Sequence, residues 1–358
     1  METIKLPKFK AREGKLFFPE LKRKIDFYFD RNRKNKTANL YTYAKAFILI
    51  FAYVSTYFLI ILGNQSTFFT LTLWMFLGIV FACIGFNIMH DAGHGSYSKH
   101  EKVNYFLFLS LNLVGANAFL WEKKHNWLHH RFTNLDGIDE DIDIPFMRVH
   151  TNQKWEKYHK YQYIYAFPLY TVTYFLWVWY ADFKKYFSGK IHGQDIGEIP
   201  LSEHFIFWLS KIFYTLYIII VPIYFLGFWK FFFGYLLLCA TCGLFISVIF
   251  QLAHVVEGVD NPITDQDNQI KQEWAVHQIQ STSNFATSNW FVTLFTGGLN
   301  FQTEHHLFPE INHIHYPKIK PIVKEHCKEF GITYNEKSTF LDAILSHVNY
   351  LETLGTKP

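Results

Sequence analysis

Between Lys45 and Asp91 the chain carries no Asp, Glu, Lys or Arg, and this stretch constrains the fold more than any other feature. It is long enough for two helices of about 20 residues, each able to cross the hydrocarbon core of a bilayer. The polar tip Gly63-Asn64-Gln65-Ser66 divides it. The pattern returns between Lys211 and Glu257, where the only charge is Lys230, in the turn Gly227-Phe228-Trp229-Lys230. We therefore expect an all-α integral membrane protein with four transmembrane helices in two hairpins, at about 44–62, 68–89, 206–226 and 231–253. Twelve Lys or Arg lie in Met1–Leu40 and almost none in the two outer tips. The positive-inside rule then puts both termini in the cytosol. Nothing near the start has the apolar core of a signal peptide.

Two more charge-free stretches, Val103–Trp121 and Tyr161–Ala181, are also long enough to span. The first holds Ser110, Asn112, Gly115 and Asn117; the second holds Pro168 and is rich in Tyr and Trp, a composition of the membrane interface. Hydropathy alone leaves two arrangements open. If both cross, residues 122–160 lie outside; if both are interfacial or re-entrant, everything from His90 to about His204 stays cytosolic.

Only 18% of residues are charged, against about 25% in soluble chains, and half are apolar, which excludes a disordered or collagenous chain. With no repeat or low-complexity linker, the expected organisation is a basic cytosolic arm, 1–40, and one membrane domain, 41–358. The basic excess of the arm serves orientation, and no nucleic-acid partner is expected. Cys239-Ala-Thr-Cys242 lies inside an apolar run and reads as packing thiols rather than a redox or metal pair.

The eighteen histidines carry the chemistry. His90-Asp91-Ala92-Gly93-His94 follows the second span, His125-Asn126-Trp127-Leu128-His129-His130 comes next, His254 ends the fourth span, and Gln302-Thr303-Glu304-His305-His306 lies near the C-terminus. On an α-helix, positions i and i+4 share a face, so His90/His94 and His125/His129 can each offer two imidazoles to one ion. The adjacent pairs His129/His130 and His305/His306 point roughly 100° apart and can serve two neighbouring metals. Eight histidines and a Gln exceed what one ion takes and suit two ions with open positions. Imidazole accepts zinc, copper, iron or nickel, and apolar surroundings that favour redox chemistry on a lipid point to iron. The other ten histidines, His100, His150, His159, His192, His204, His277, His313, His315, His326 and His347, lack such spacing and are left as surface or structural residues. A soluble carboxylate di-iron bundle would use Glu-x-x-His pairs. That spacing occurs at Glu122/His125, Glu156/His159 and Glu310/His313, but without a long amphipathic helix around it, and HExxH is absent.

These boxes resemble the membrane-bound fatty acid desaturases from about the first span to His306-Leu307-Phe308-Pro309. The run Gly297-Gly298-Leu299-Asn300-Phe301-Gln302-Thr303-Glu304-His305-His306 is similar to the third box of front-end desaturases, in which Gln replaces the first histidine; His90-Asp91-Ala92-Gly93-His94 and Thr133-Asn134 are similar to that group too. The resemblance implies four spans, interfacial helices and a cytosolic helical cap carrying a di-iron site, at which O2 and two electrons desaturate an acyl chain. It also implies iron ligands at His90, His94, His125, His129, His130, His254, His305 and His306. Gln302 would coordinate weakly, bind through water or orient a neighbour. Many front-end relatives carry a fused cytochrome b5 domain; no His-Pro-Gly-Gly motif occurs here, and Met1–Leu40 is too short for one. A ferredoxin or separate cytochrome b5 is the donor this implies.

An unactivated methylene resists acid–base chemistry, so no residue is given a general-base role. Metal-bound imidazoles usually donate their second N–H to a carboxylate or carbonyl. Asp139 and Asp141 head the candidates, followed by Asp136, Glu140, Asp143, Glu122 and Glu304. Trp121, Trp127 and Tyr174–Tyr180 are candidates for lining a substrate channel or anchoring in the membrane belt; Lys99, Lys102 and Arg131 for meeting a CoA phosphate or lipid headgroup, or for plain positive-inside bias. The substrate is acyl-CoA or acyl-lipid. The competing readings are a di-iron hydroxylase and, from another class, a His-lined metal-ion transporter.

Overall fold

A segment apolar on every side can satisfy its backbone groups in lipid only by coiling into a helix. In the computed structural model, which describes residues 6–10 and 16–356, four helices are long and apolar enough to cross a membrane: Leu40–Leu62, Thr67–Gly93, Leu201–Leu226 and Phe228–His254. They are 23 to 27 residues long, about 35–40 Å at 1.5 Å per residue, against a hydrocarbon core of about 30 Å.

The first described helix, α1 (Phe17–Arg31), lies in what sequence marked as a polar arm. It buries Phe17, Leu21, Ile25 and Phe29, one side chain per turn, while its cations stay outside. The Glu273 carboxylate accepts from the Phe17 and Phe18 amides at 3.3 and 3.1 Å, supplying the N-terminal cap that the helix's own sequence lacks. Lys5, Arg12 and Lys15 of the expected arm lie outside the described residues.

Helix α2 (Leu40–Leu62) starts four residues before its expected boundary because the Asn39 side chain accepts from the Thr42 amide. Helix α3 (Thr67–Gly93) is capped by Ser66 and runs past residue 89 through a π turn, Gly85–Met89, into the first histidine box. Helices α4 (Glu101–Leu113) and α5 (Ala118–His129) meet at 105°, so Val103–Trp121 is not one straight helix. Tyr161–Ala181 is likewise broken, into α6 (Gln162–Tyr170), a short turn Thr173–Leu176 and a π turn Trp177–Ala181.

Helices α7 (Leu201–Leu226) and α8 (Phe228–His254) follow. Helix α8 packs closely along α3: a methyl on Gly78 would lie 2.1 Å from Thr241 Oγ1 and 2.5 Å from the Leu238 carbonyl oxygen. Thr241 Oγ1 crosses the gap to donate to the Met75 carbonyl at 3.1 Å. Small residues permit such approach where apolar solvent gives little drive to associate. The outer faces carry Phe47, Phe51, Phe205, Leu209 and Trp229, all exposed, as lipid contact requires. Cys239 and Cys242 are free and buried within α8.

The corner between α4 and α5 is tied to α7 by a buried charge. Lys211 Nζ donates to the Gly115 and Val178 carbonyls (2.7 and 2.9 Å) and to Asp182 Oδ2 (2.7 Å), and the same carboxylate oxygen accepts from the Asn117 amide at 2.8 Å.

Beyond α8 come α9 (Trp274–Gln280), α10 (Gln302–Leu307), α11 (Tyr316–Glu329) and α12 (Phe340–Thr356). Helices α1, α9, α10 and α11 share a second apolar core, containing Ile25, Ala275, Ile279, Phe308, Ile319 and Val323, separate from the core among the long helices. The histidine boxes lie where these two cores meet.

Candidate metal centre

The first box begins directly after the π turn of α3, and the second lies inside another π turn, Lys123–His129, except for His130, which caps it. His254 is the last residue of α8. The third box occupies α10, whose approach is fixed by Gly297 in the left-handed region (φ 59°); a methyl there would sit 2.3 Å from the Phe86 carbonyl oxygen in the first π turn. Glycine therefore lets the third box close onto the first.

Two groups of imidazole nitrogens result. His90, His94, His125 and His305 form one, and His129, His254 and His306 the other, with the nitrogens of each group within 4.8 Å of one another. His130 joins the first: its Nε2 lies 3.1 Å from His125 Nε2, which lies 3.2 Å from His90 Nε2. The groups abut, the His130 and His306 rings stacking at 4.3 Å. The adjacent pairs do divide between the groups. The second box departs from a regular α-helix: in its π turn the His130 amide donates to the His125 carbonyl at 3.0 Å, while the His125 and His129 rings still stack at 5.2 Å with nitrogens within 4.8 Å of one another. His129 also faces His254 and His306, with ring centroids 4.8 and 5.0 Å away. Seven rings are buried and His94 is half-buried.

Contacts behind the rings set their tautomers. His129 Nδ1 donates to Asp139 Oδ2 at 2.9 Å, His254 Nδ1 to the Ser281 carbonyl at 3.2 Å, and His306 Nδ1 to Gln278 Oε1 at 2.7 Å; His305 Nδ1 lies 3.2 Å from the Tyr316 hydroxyl. The first three contacts leave Nε2 as the inward lone pair. His94, His129 and His305 Nε2 are buried with no hydrogen-bond partner among the described residues. Burial first, then neighbouring imidazoles, push His305 and His306 well below the usual histidine range, so both are neutral at pH 7. Convergent imidazoles, three of them with an unpartnered Nε2, fit a first-row transition metal.

Gln302 lies at the second group, its amide nitrogen 2.9 Å from His254 Nε2 and 3.1 Å from His306 Nε2, and its Oε1 without a partner among the described residues. The reversed amide would turn oxygen toward both rings, the orientation a metal would select. Asp141 lies 3.6 Å from His129 Nδ1 and is shared with the Lys124 ammonium; it forms a third nitrogen–oxygen grouping with His125 and His129.

The other acidic candidates lie elsewhere. Glu140 pairs with Lys185 at 2.7 Å and Asp143 is 3.5 Å from His192. Glu304 accepts from Asn284 Nδ2 (2.7 Å) and the Tyr334 hydroxyl (2.6 Å), and burial pushes its carboxyl up to about 7. Glu122, Glu156 and Glu310 join neither histidine group.

Sequence reading missed Gln278, Tyr316 and the Ser281 carbonyl, which lie 28, 11 and 27 positions from their histidines and carry no local spacing signal. It also missed the use of His313. Buried, His313 receives Lys45 Nζ at 2.7 Å on one nitrogen and bonds Asp91 Oδ2 at 2.5 Å with the other, while Asn312 Nδ2 donates to the same oxygen at 2.7 Å. Thr133 donates to the His129 carbonyl at 2.7 Å, and Asn134 Nδ2 to the His254 carbonyl at 2.9 Å, so this dipeptide fastens the second box to α8. Trp121 stacks on His125 at 4.3 Å and also faces His90 and His94.

Fold and site define a largely helical protein with four helices of membrane-spanning length and apolarity and two adjoining histidine groups able to hold metal ions. The sequence model of the family "Fatty acid desaturase" matches residues 66–338. The chain is 34% identical over 348 residues to an acyl-lipid (8-3)-desaturase of Physcomitrium patens, covering 96% of this chain and 72% of that one. It is 34% identical to an sn-1 linoleoyl-lipid 6-desaturase of Synechocystis sp., covering 99% of each chain. With a namesake in Arthrospira platensis it shares 33% identity, over 96% of this chain and 93% of the other. The chain belongs to the fatty acid desaturase family and is thus an oxidoreductase, a membrane fatty acyl desaturase. Enzymes of this family are generally di-iron and O2-dependent.

Proposed function

We propose that this protein introduces a double bond into the acyl chain of a membrane glycerolipid, using O2 and two irons held by eight histidines. The observation that carries the reading is the convergence of three sequence-distant boxes and His254 into two adjoining groups of buried imidazoles. His90, His94, His125, His130 and His305 would hold one iron, and His129, His254 and His306 the other, with Gln302 at the edge of the second. The lipid-linked substrate is favoured over acyl-CoA by the relatives' names, which specify acyl-lipid and linoleoyl-lipid substrates.

Bound there, the metals would supply the oxygen activation that cleavage of an unactivated C–H bond demands. The chain's own residues do the rest. Asp139, Gln278 and the Ser281 carbonyl hold three rings in the tautomer that presents Nε2, with Asp141 supporting His129. Trp121 covers His90, His94 and His125 with an apolar plate that excludes water.

In this reading residues 41–358 form one membrane domain with its spans in two hairpins, and the histidine cap and both termini are cytosolic, with 1–40 on that side. The bend between α4 and α5 and the breaks after α6 support interfacial rather than crossing segments. Electrons come from a separate protein, ferredoxin or cytochrome b5.

Expression in a host lacking polyunsaturated lipids, with mass spectrometry of its lipids and metal analysis of the purified protein, tests the proposal. The expected result is a new double bond in a glycerolipid acyl chain and two irons per chain. A hydroxylated product would instead favour the hydroxylase reading; an iron-free protein that still desaturates would sink the site assignment.

A further inference from the structure

We propose that the surface around Trp274, rimmed by Lys10, Arg131 and Lys271, is the docking face for an acidic one-electron carrier protein. The inference rests on the oxidative reading of the histidine site. Each turnover takes two electrons and two protons from the substrate's adjacent methylenes as the double bond forms. Reduction of O2 to two waters needs two further electrons and two protons; the protons come from solution and the electrons from the carrier, which is oxidised twice.

The histidines are enclosed, so those electrons must enter through protein. Trp274, the first residue of α9, is half-buried, with its Nε1 donating to the His130 carbonyl at 3.2 Å. One hydrogen bond therefore joins a partly accessible indole to the backbone of a residue in the first imidazole group. Phe18 meets the same indole edge-on at 5.1 Å and fixes its orientation.

Three exposed cations lie on the chain segments that adjoin it. Lys8–Phe9 pairs in parallel with Gln269–Ile270, and the Lys10 amide donates to the Ile270 carbonyl at 2.9 Å, which brings Lys10 beside Lys271. Phe9 stacks on Phe132 at 5.9 Å, and Arg131 lies over the Phe132 ring at 5.1 Å, joining that strand to the segment that follows His130. No ion pair involves any of the three cations among the described residues. Nearby carboxylates are committed inward: Glu273 caps α1, and Asp265 accepts from the Asp267 and Gln269 amides at 3.0 and 2.9 Å. Asp267 is exposed, but it lies at the Lys8 end of the strand pair. A positive rim around an aromatic entry point favours an acidic partner, through faster encounter and correct orientation.

The test uses the full chain in zwitterionic lipid nanodiscs with a plant-type [2Fe–2S] ferredoxin. For Lys10→Glu/Lys271→Glu we expect about tenfold weaker binding of oxidised ferredoxin at low salt and a matching rise in KM for reduced ferredoxin, both converging on wild type at high salt. Turnover driven by photoreduced 5-deazariboflavin, and KM for the acyl substrate, should not change. Trp274→Phe should lower kcat with ferredoxin while leaving metal content and ferredoxin binding intact. Unchanged ferredoxin binding in the double variant would overturn the proposal. So would a rise confined to the KM for acyl substrate, which would make the patch a lipid-headgroup site, or an equal loss with both reductants. Salt-sensitive ferredoxin binding by a wild-type protein without desaturase activity would uphold the docking face while refuting the proposed function.

Discussion

Replacing Gln278 with leucine isolates one contact behind the proposed metal ligands. Gln278 is fully buried, and its Oε1 accepts from His306 Nδ1 at 2.7 Å, with Thr133 Oγ1 2.8 Å away. Its Nε2 has no partner among the described residues, so leucine, close in size, removes an acceptor without creating a new unpaired donor. Thr133 keeps the His129 carbonyl at 2.7 Å. The loss therefore falls on His306, whose Nδ1–H stays buried with only the Thr133 oxygen at 3.3 Å to turn to. An unsatisfied buried donor costs about 1–3 kcal/mol. Removing the acceptor behind a ligating imidazole typically weakens metal binding about 10- to 100-fold, or about 1.4–2.8 kcal/mol. Chelator competition and elemental analysis on purified Gln278→Leu should show that loss, while Gln278→Glu, which keeps an acceptor, should hold metal at least as well as wild type. Wild-type metal content and chelator resistance in Gln278→Leu would refute the claim that this contact sets the ring's tautomer.

Three further outcomes follow from the geometry. His94→Ala or His306→Ala should abolish turnover and lower iron content while membrane insertion persists; a fully active variant removes that residue from the ligand set. Lys211→Met strands the Asp182 carboxylate in the interior, where breaking a buried pair costs about 3–5 kcal/mol; Lys211→Met/Asp182→Asn should recover part of the detergent-solubilised stability, and a double variant no better than the single one would show that the charge is not the cause. Burial raises the Glu336 carboxyl, but Lys320, Thr287 and Lys324 outweigh it and hold the group at about 2, against 4.5 unperturbed. Since the folded value is the lower one, its stabilisation is complete above about pH 4.5 and fades as pH falls toward 2; proteolysis of the α12 end should rise in that window and not between pH 5 and 8.

What could be read from the residues was what depends on local composition. An unbroken apolar run dictates a long helix whatever surrounds it, so all four long helices were found. Their ends extended further because caps such as Asn39 and Ser66 are polar and count against an apolar window. The arm at 1–40 was taken as polar on its charge, although Phe17, Leu21, Ile25 and Phe29 recur at four-residue spacing; that face is buried against α9, α10 and α11, partners more than two hundred residues away. The histidines declared themselves by spacing, whereas Gln278 and Tyr316 did not, since a contact across the fold leaves no period in the chain. His313 looked isolated for the same reason: Lys45 and Asp91 are 268 and 222 positions away.

The second box holds a turn that spacing alone does not reveal. A regular α-helix from Lys123 would set His125 and His129 on one face and send His130 about 100° away. The π turn also brings His130 beside His125, its Nε2 3.1 Å from His125 Nε2, while His129 stays stacked on His125 and faces His254 and His306 as well. The third box is a short α-helix, and its adjacent pair divides by ordinary geometry, His305 to one group and His306 to the other. Glycine at 297 then settles the spacing, because only a residue without Cβ lets the loop before the third box rest on the Phe86 carbonyl in the turn that precedes the first.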